Sequence, residues 1–226
     1  MKLTCVILII LCFGAGLSPA QGPAKTISLR GNKDLVPVNV AASEESYLGK
    51  ESLKVTDQGE NSEVKFVKIG HLDFGNGVIE TQVAGKPATG SSEQARGFVG
   101  IAFRINEDNS KFECFYIRPT NGRADDQVRR NHSAQYISFP DFPWSRLRKE
   151  FPEKYESYVD LVPGEWTKIR IEIKGNQAKL YVHGNTQPTL FVNDLKHGSD
   201  ARGAIGLWIG PGTEARFSDL QITDLK

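Results

Sequence analysis

The chain has 226 residues, of which 39% are hydrophobic and 24% are charged, and its formal net charge at pH 7 is +1. A chain so close to neutrality has no bulk attraction to nucleic acid or to an anionic membrane, so we expect no nucleic-acid partner. Positive charge is instead concentrated locally, because six of the twelve arginines lie between Arg118 and Arg148.

The N-terminal segment MKLTCVILIILCFGAGLSPA, residues 1–20, has the pattern of a signal peptide. Lys2 gives it a basic start, residues 6–13 are apolar, and Ser18 and Ala20 are small residues at the positions that a signal peptidase reads. The apolar run is shorter than the roughly 20 residues that span a bilayer. We therefore predict cleavage after Ala20, export to the periplasm or the extracellular space, and no membrane anchor in the mature chain.

The mature chain is expected to be one domain without disulfides. Removal of the signal peptide takes Cys5 and Cys12 with it, which leaves Cys114 without an intramolecular partner. About 200 residues are enough to form a core that needs no disulfide support. Residues 21–44 contain proline and glycine and are predicted to form an extended lead-in, whereas residues 45–226 are predicted to form the domain itself.

Short segments typical of β-strands follow one another through this domain, with turn residues between them. Ile169, Ile171 and Ile173 alternate with polar residues, which is the period-2 pattern of a half-buried strand. The Gly-Asn pair that follows is typical of a tight hairpin. Strands are predicted at residues 53–56, 64–69, 77–83, 98–105, 111–118, 134–139, 168–174, 178–183, 189–192, 204–209 and 215–223.

Helical patterns are almost absent. The one candidate, PWSRLRKEF, lies between Pro143 and Pro152, which limit it to a turn or two. Many short strands without intervening helices predict an all-β domain in which antiparallel sheets form a sandwich or a barrel.

Residues 119–164, called the excursion below, interrupt the series of strands with a long polar segment. Loops of more than about 15 residues in a compact domain are usually functional or disordered. Disorder does not fit this segment, because it contains aromatic residues to bury, among them Tyr136, Phe142 and Tyr155. We predict that the excursion folds over one face or rim of the sheets and forms the functional site.

Four segments resemble the jelly-roll domains of the concanavalin A-like lectin/glucanase superfamily: FGNGVIETQVAG, GFVGIAFRINEDNSKFECFYIRP, GEWTKIRIEIKGNQAKLYVHG and GAIGLWIGPGTEARFSDLQI. That superfamily includes laminin G-like modules and 3-keto-disaccharide hydrolase domains. The resemblance implies an antiparallel β-sandwich of jelly-roll type over residues 45–226. It does not select an activity, because the same fold hosts lectins, hydrolases, lyases and adhesion modules.

Three residues are candidates for catalysis. The two-carboxylate strand motif of family 16 glycosidases, Glu-x-Asp-x-Glu, is missing, but Glu113 resembles the strand glutamate of 3-keto-disaccharide hydrolase domains. His132 and Tyr136 are candidates for proton transfer, and with neighbouring Gln and Arg residues they resemble the set that jelly-roll polysaccharide lyases use. The alternative for His132 is a hydrogen-bonded structural role.

The polar residues of the excursion have two interpretations. Its arginines alternate with Asp125 and Asp126, which is consistent with an internal salt-bridge network. Alternatively, the guanidinium groups bind a carboxylate, a sulfate or sugar hydroxyls, and Trp144 offers a face on which a sugar ring stacks. The candidates for substrate contact are Arg118, Asn121, Arg123, Asp125, Asp126, Arg129, Arg130, Asn131, Gln135 and Trp144.

No cofactor or metal is expected, because the four histidines show no paired spacing. The turn NEDNS offers oxygens to a structural calcium ion, but as a hairpin tip it requires none. The leading functional hypothesis is an exported glycoside hydrolase-like protein that acts on an extracellular carbohydrate. The alternatives are a lectin-like module that binds a glycan without changing it, a uronate polysaccharide lyase and a laminin G-like adhesion module.

Overall fold

The computed structural model describes residues 22–59 and 62–225. The predicted signal peptide, residues 1–20, lies outside the described residues. The described chain folds into a sandwich of two antiparallel sheets, and the predicted all-β jelly-roll fold is therefore confirmed.

In chain order the strands are β1 (Lys25–Thr26), β2 (Leu35–Val38), β3 (Val40–Tyr47), β4 (Lys50–Asp57), β5 (Phe66–Phe74), β6 (Gly77–Pro87), β7 (Val99–Ile105), β8 (Phe112–Ile117), β9 (Ala134–Phe139), β10 (Glu156–Ser157), β11 (Thr167–Lys174), β12 (Gln177–Val182), β13 (Leu190–Val192), β14 (Gly203–Ile209) and β15 (Thr213–Asp224). Between β8 and β10 lie a 3₁₀ helix (Pro119–Asn121), α1 (Gln127–Asn131) and α2 (Trp144–Glu150).

The first sheet contains eight strands in the order β13-β12-β11-β6-β15-β4-β3, with β1 paired to β15. The second sheet contains seven strands in the order β10-β9-β8-β7-β14-β5-β2. Every strand predicted from the sequence overlaps a strand of one of these sheets, and α2 confirms the short helix predicted between Pro143 and Pro152.

The burial of the strands explains the sequence patterns from which they were predicted. In β11 the isoleucines are buried and the polar residues between them are not, because one face of this strand packs on the core. By contrast, β7 and β8 are buried at every position. The eight-stranded sheet covers one face of these strands, and the excursion lies over the other, where Leu147 of α2 joins the hydrophobic core.

The register of β7 fixes which residues face which side. Val99 lies against Gly85 of β6 and so faces the eight-stranded sheet. The next residue, Gly100, is paired with Tyr116 of β8 and with Trp208 of β14. Because successive residues of a strand point to opposite faces, Gly100, Tyr116 and Trp208 face away from the eight-stranded sheet. We call this side the outer face of the seven-stranded sheet.

Residues 21–44, expected to be an extended lead-in, contain β1, β2 and the first part of β3. These strands pair with β15, β5 and β4 respectively, so the segment supplies edge strands to both sheets. The sequence of β3, VAASEESY, has mostly exposed or half-buried positions and therefore no apolar run that would mark it as a strand.

Within the described ranges, none of the helices has the length and apolar character that a bilayer span requires.

Candidate functional site

A cavity of about 590 Å³ lies on the outer face of the seven-stranded sheet, between the sheet and the excursion. We call it the outer cavity. Its volume falls within the range of about 300–1,000 Å³ that is typical of small-molecule sites. Its wall contains four aromatic side chains, Phe98, Tyr116, Trp144 and Trp208, and four arginines, Arg96, Arg118, Arg129 and Arg148.

The floor of the outer cavity is aromatic because Gly100 has no side chain. The rings of Tyr116 and Trp208 meet across this glycine, with centroids 4.8 Å apart. A Cβ atom on Gly100 would overlap the backbone of Phe115 and Tyr116. The indole Nε1 of Trp208 donates a hydrogen bond to the carbonyl oxygen of Glu63 at 2.9 Å, which fixes the ring. The floor is therefore a closely packed apolar surface, with Tyr116 only 3% and Trp208 only 2% exposed.

Arg118, at the end of β8, joins the floor to the excursion. Its Nη1 donates to the carbonyl oxygen of His132 (2.8 Å) and to Oε1 of Glu156 (3.1 Å). Its Nη2 donates to the hydroxyl of Tyr116 and to Oε1 of Gln135, both at 3.0 Å. Both terminal nitrogens of Arg118 are thus held by groups of the protein.

Glu156 is the carboxylate at the centre of this network. Besides Arg118, it accepts hydrogen bonds from Nε and Nη2 of Arg148, and Nε2 of His132 lies 3.6 Å from its Oε2. Burial opposes ionisation of Glu156, but the hydrogen bonds from Arg148 and the charge of Arg118 hold its pKa below the usual range. Glu156 is therefore an ionised structural counter-ion.

His132, at the end of α1, also lines the outer cavity. Burial lowers its pKa; the charge of Glu156 opposes this shift, while Arg148 and Arg118 reinforce it. His132 is therefore neutral at neutral pH and can accept a proton or a hydrogen bond.

The residues around α1 form one side of the cavity mouth. The carboxylate of Asp126 caps α1 by accepting a hydrogen bond from the backbone NH of Arg129 at 2.6 Å. The side chain of Arg129 then folds back onto the 3₁₀ helix, where Nε donates to Oδ1 of Asn121 and Nη2 donates to the carbonyl and hydroxyl oxygens of Thr120. All of these acceptors of the Arg129 side chain are neutral.

Two further groups complete the mouth. Trp144, the first residue of α2, is 40% exposed, and the guanidinium of Arg148 lies 4.8 Å from its ring centroid. Glu63 presents a half-buried side chain to the cavity, and burial raises the pKa of Glu63 against the charges of Lys65 and Arg118. Within the described ranges, no group donates a hydrogen bond to the Glu63 carboxylate.

Two of the predicted catalytic residues do not belong to this cavity. Glu113 and Tyr136 are fully buried, and the hydroxyl of Tyr136 donates to Oε1 of Glu113 at 2.9 Å. Glu113 lies an odd number of positions from Tyr116 along β8, so it points to the inner face, where Arg104 lies 3.4 Å from its Oε2. Neither residue lines the outer cavity, so this cavity does not support their assignment as catalytic residues, which stays a prediction.

The predicted substrate-binding residues divide into two groups. The side chains that line the outer cavity are Arg118, Asn121, Asp126, Arg129 and Trp144. Gln135 lies beneath Arg118 and positions it. The others lie outside the cavity wall: Arg123 pairs with Asp160, Arg130 donates to the hydroxyl of Tyr158, Asn131 accepts from Gln127, and Asp125 is exposed.

Sequence reasoning missed Glu63, Arg96, Phe98, Tyr116, Arg148 and Trp208, all of which line the cavity. For Tyr116 a clue was available, since it precedes Arg118 by two positions and so shares its face of the strand. The same rule places Glu113 on the opposite face. Glu63 and Arg96 lie in loops far from the excursion in sequence, and no local pattern brings them to it.

The turn considered for calcium is occupied by an ammonium group. Nζ of Lys68 donates to the carbonyl oxygens of Asn106 and Glu107 and to Oδ1 of Asn109, at 2.8–3.2 Å. Among the described residues, no group of three or more His, Cys, Asp or Glu side chains is placed to hold a metal ion.

No protein-family model and no curated protein sequence matches the chain. Solved structures do match it. Carbohydrate binding module CBM66 from Bacillus subtilis matches with a TM-score of 0.52 and 11% identity, over 83% of this chain and 95% of that chain. A protein of unknown function with a galectin-like fold, also from Bacillus subtilis, matches with a TM-score of 0.52 and 8% identity, over 83% of this chain and 90% of that chain. These matches show a shared fold, an antiparallel β-sandwich of jelly-roll type.

Proposed function

We propose that this protein is an exported glycan-binding module and that the outer cavity holds the glycan. The observation that carries the proposal is the combination of an apolar aromatic floor, a half-exposed indole at the mouth and hydrogen-bonding guanidinium groups on the wall. Sugar rings present apolar C–H faces and a rim of hydroxyls, and this combination is complementary to both. The structural match to a carbohydrate binding module is a second support for a carbohydrate as the ligand.

Binding without catalysis is the better supported form of this function. Of the three candidate catalytic residues, Glu113 and Tyr136 are buried away from the cavity. Glu156, the most central carboxylate beneath the wall, is fully engaged by Arg118 and Arg148 and is only 3% exposed. Its ion pairs leave it unsuited to act as a nucleophile or a proton donor.

The test of this proposal is a glycan array probed with the protein, followed by calorimetry on the glycans that bind. Trp144→Ala removes the exposed ring at the mouth, and we expect it to weaken binding by about tenfold to a hundredfold, by analogy with the loss of about 1–3 kcal/mol when an aromatic side chain that stacks on a nucleic-acid base is replaced by alanine. Phe191→Ala is the matched control, because Phe191 is similarly exposed (46%) but belongs to β13 in the other sheet. Equal losses in the two variants, or no binding to any glycan, would refute a glycan site in the outer cavity.

One observation favours hydrolysis as a second candidate function. Glu63 combines access to the cavity with a raised pKa, which are the properties of a general acid. Neutral His132 would then be the residue placed to accept a proton. If the protein is a hydrolase, Glu63→Gln and His132→Ala should each lower turnover by about 10²-fold to 10⁴-fold while binding stays within roughly tenfold. Product release from the bound glycans, measured by chromatography, decides between the two candidates.

A further inference from the structure

We propose that the ligand of the outer cavity is an acidic glycan, and that its carboxylate or sulfate group binds between Arg96 and Arg129. This inference rests on the proposed function and narrows it to one chemical class of sugar.

The first support is the distribution of ion pairs. Within the described ranges, every arginine except Arg96, Arg129 and Arg130 has a carboxylate within ion-pair distance. Arg130 instead stacks on Tyr158, away from the cavity, with its guanidinium 5.1 Å from the ring centroid. The two remaining exceptions, Arg96 and Arg129, both line the outer cavity. Uncompensated positive charge is therefore concentrated where a ligand would bind.

The second support is how these two guanidiniums are held. Arg129 donates to neutral oxygens of Asn121 and Thr120. Among the described residues, Arg96 donates only to the backbone carbonyl oxygens of Glu93 and Ala95, through Nη1. These hydrogen bonds orient the side chains without neutralising them, and for Arg96 they leave Nε and Nη2 free to donate to a ligand.

The third support is the proximity of the charges. Burial lowers the pKa of Arg96, and the charges of Arg129 and Arg118 lower it further. Like charges in a partly buried cavity repel each other, and an anion placed between them removes that repulsion. The carboxylates on the wall do not serve this purpose. Asp126 accepts the backbone NH of Arg129 as the cap of α1, and within the described ranges neither Asp126 nor Glu63 forms an ion pair with the guanidinium of Arg96 or Arg129.

A carboxylate or a sulfate suits this pair of residues because the guanidinium group presents parallel N–H donors to two oxygens at once. The aromatic floor and Trp144 then contact the ring that carries the acid group. Both acid types share this chemistry, and the experiment below separates them.

The experiment compares three groups of probes: polygalacturonate and alginate for uronates, carrageenan for sulfate esters, and galactan and dextran as neutral glycans. We expect binding of a uronate or a sulfated probe, at least tenfold tighter than any neutral probe and weakened by added salt. Binding confined to one acidic group identifies the acid, and binding of both indicates recognition of charge by the guanidiniums. A preference for neutral probes would overturn this inference and leave the proposed function intact, whereas binding of no probe at all would remove both.

Two variants test the assigned residues on the tightest acidic probe. Arg96→Gln and Arg129→Gln should each weaken it at least tenfold and reduce the salt dependence of binding. Arg123→Gln is the control, because Arg123 is an excursion arginine paired with Asp160 outside the cavity, and it should bind as the wild type does. Arg129 also bonds to the 3₁₀ helix, so Arg129→Gln could weaken binding by disturbing the fold, and thermal unfolding is therefore measured for each variant. Within the described ranges, the side chain of Arg96 makes no hydrogen bond to that helix, so Arg96→Gln tests the placement of the acid group independently. Unchanged affinity in Arg96→Gln would refute the placement of the acid group.

Discussion

At the residue scale, Glu156 is the carboxylate that links the separate parts of the excursion around the cavity. Glu156 is 3% exposed and lies beneath the cavity wall, where it forms ion pairs with both Arg118 and Arg148. Arg118 in turn bonds to Tyr116 on the floor and to the backbone of His132 at the end of α1. The network therefore connects the sheet, α1 and α2, and it sets the shape of the cavity between them.

We expect Glu156→Gln to destabilise the protein by about 3 kcal/mol, because it leaves two guanidiniums without their counter-ion in a largely buried site. Glu150→Gln is the control, because it removes the ion pair between Glu150 and Arg146 in the same excursion. Both side chains of that pair are more than 40% exposed, so the substitution should lower the free energy of unfolding by no more than about 1 kcal/mol. Urea unfolding of the two variants measures the difference. Similar midpoints would show that Glu156 does not hold the excursion.

The residue scale also shows where prediction from sequence stops. The density of arginine and aspartate pointed to the excursion, and five of the ten predicted contact residues, including Arg118 just before it, do line the cavity. Sequence could not separate Arg129, whose acceptors are neutral, from Arg123, which is neutralised by Asp160. That distinction depends on which carboxylates the fold brings near, and Asp160 is far from Arg123 along the chain.

At the element scale, the site depends on the close approach of β7 and β8. Gly100 lies between Tyr116 and Trp208, and the contact of their rings requires that no side chain stand between them. The apolar runs of β7 and β8 could be recognised from sequence as strands. The requirement for glycine at this position comes from the neighbouring strands and is visible only in the folded sheet.

We expect Gly100→Ala to cost about 1–3 kcal/mol of stability, because the added methyl group would overlap the backbone of β8. It should also weaken ligand binding by separating the two rings of the floor. Gly70→Ala in β5 is the milder comparison, since its Cβ would lie 3.2 Å from the nearest atom, the carbonyl oxygen of Asp34. Thermal unfolding and calorimetry on both variants provide the measurements, and an unaffected Gly100→Ala protein would contradict the close packing.

The edge strands and α1 mark the limit of prediction at this scale. The pattern of β11 is regular because one of its faces is buried and the other is not. The edge strand β3 is mostly polar, and its pairing with β4 is determined by the neighbouring strand more than by its own composition. The helix α1 has no buried residue and is started by the Asp126 cap, so it carries no apolar periodicity to detect.

At the scale of the whole molecule, stability should fall in acid. Burial opposes ionisation of Asp194, yet hydrogen bonds from Lys154, Tyr155 and Lys196 lower its pKa from 3.8 to about 2. Burial likewise opposes ionisation of Glu214, and hydrogen bonds from Arg216 and Lys54 lower its pKa from 4.5 to about 2.

A carboxylate whose pKa is lower in the folded state than in the unfolded state stabilises the folded state. This contribution is complete when the pH is above the unfolded-state pKa, and it is lost as the pH falls through the folded-state pKa. The melting temperature should therefore be steady near neutral pH and decrease between about pH 4.5 and pH 2. The pKa of Glu63 is raised in the folded state, so its protonation in acid favours folding. This single group opposes several carboxylates whose pKa is lowered, among them Asp194 and Glu214. A melting temperature unchanged from pH 6 to pH 2 would contradict this account of the ion pairs.

The central claim, that the outer cavity is the ligand site, is tested most directly by the indole NH resonances of the three tryptophans. Trp144 and Trp208 line the cavity, whereas Nε1 of Trp166 donates to the carbonyl oxygen of Tyr47 at 3.2 Å, away from the cavity wall. Titration of ¹⁵N-labelled protein with a bound acidic glycan should shift the resonances of Trp144 and Trp208 and leave that of Trp166 unchanged. A shift of Trp166 alone, or no shift in any of the three while the glycan binds, would place the ligand elsewhere and contradict the account.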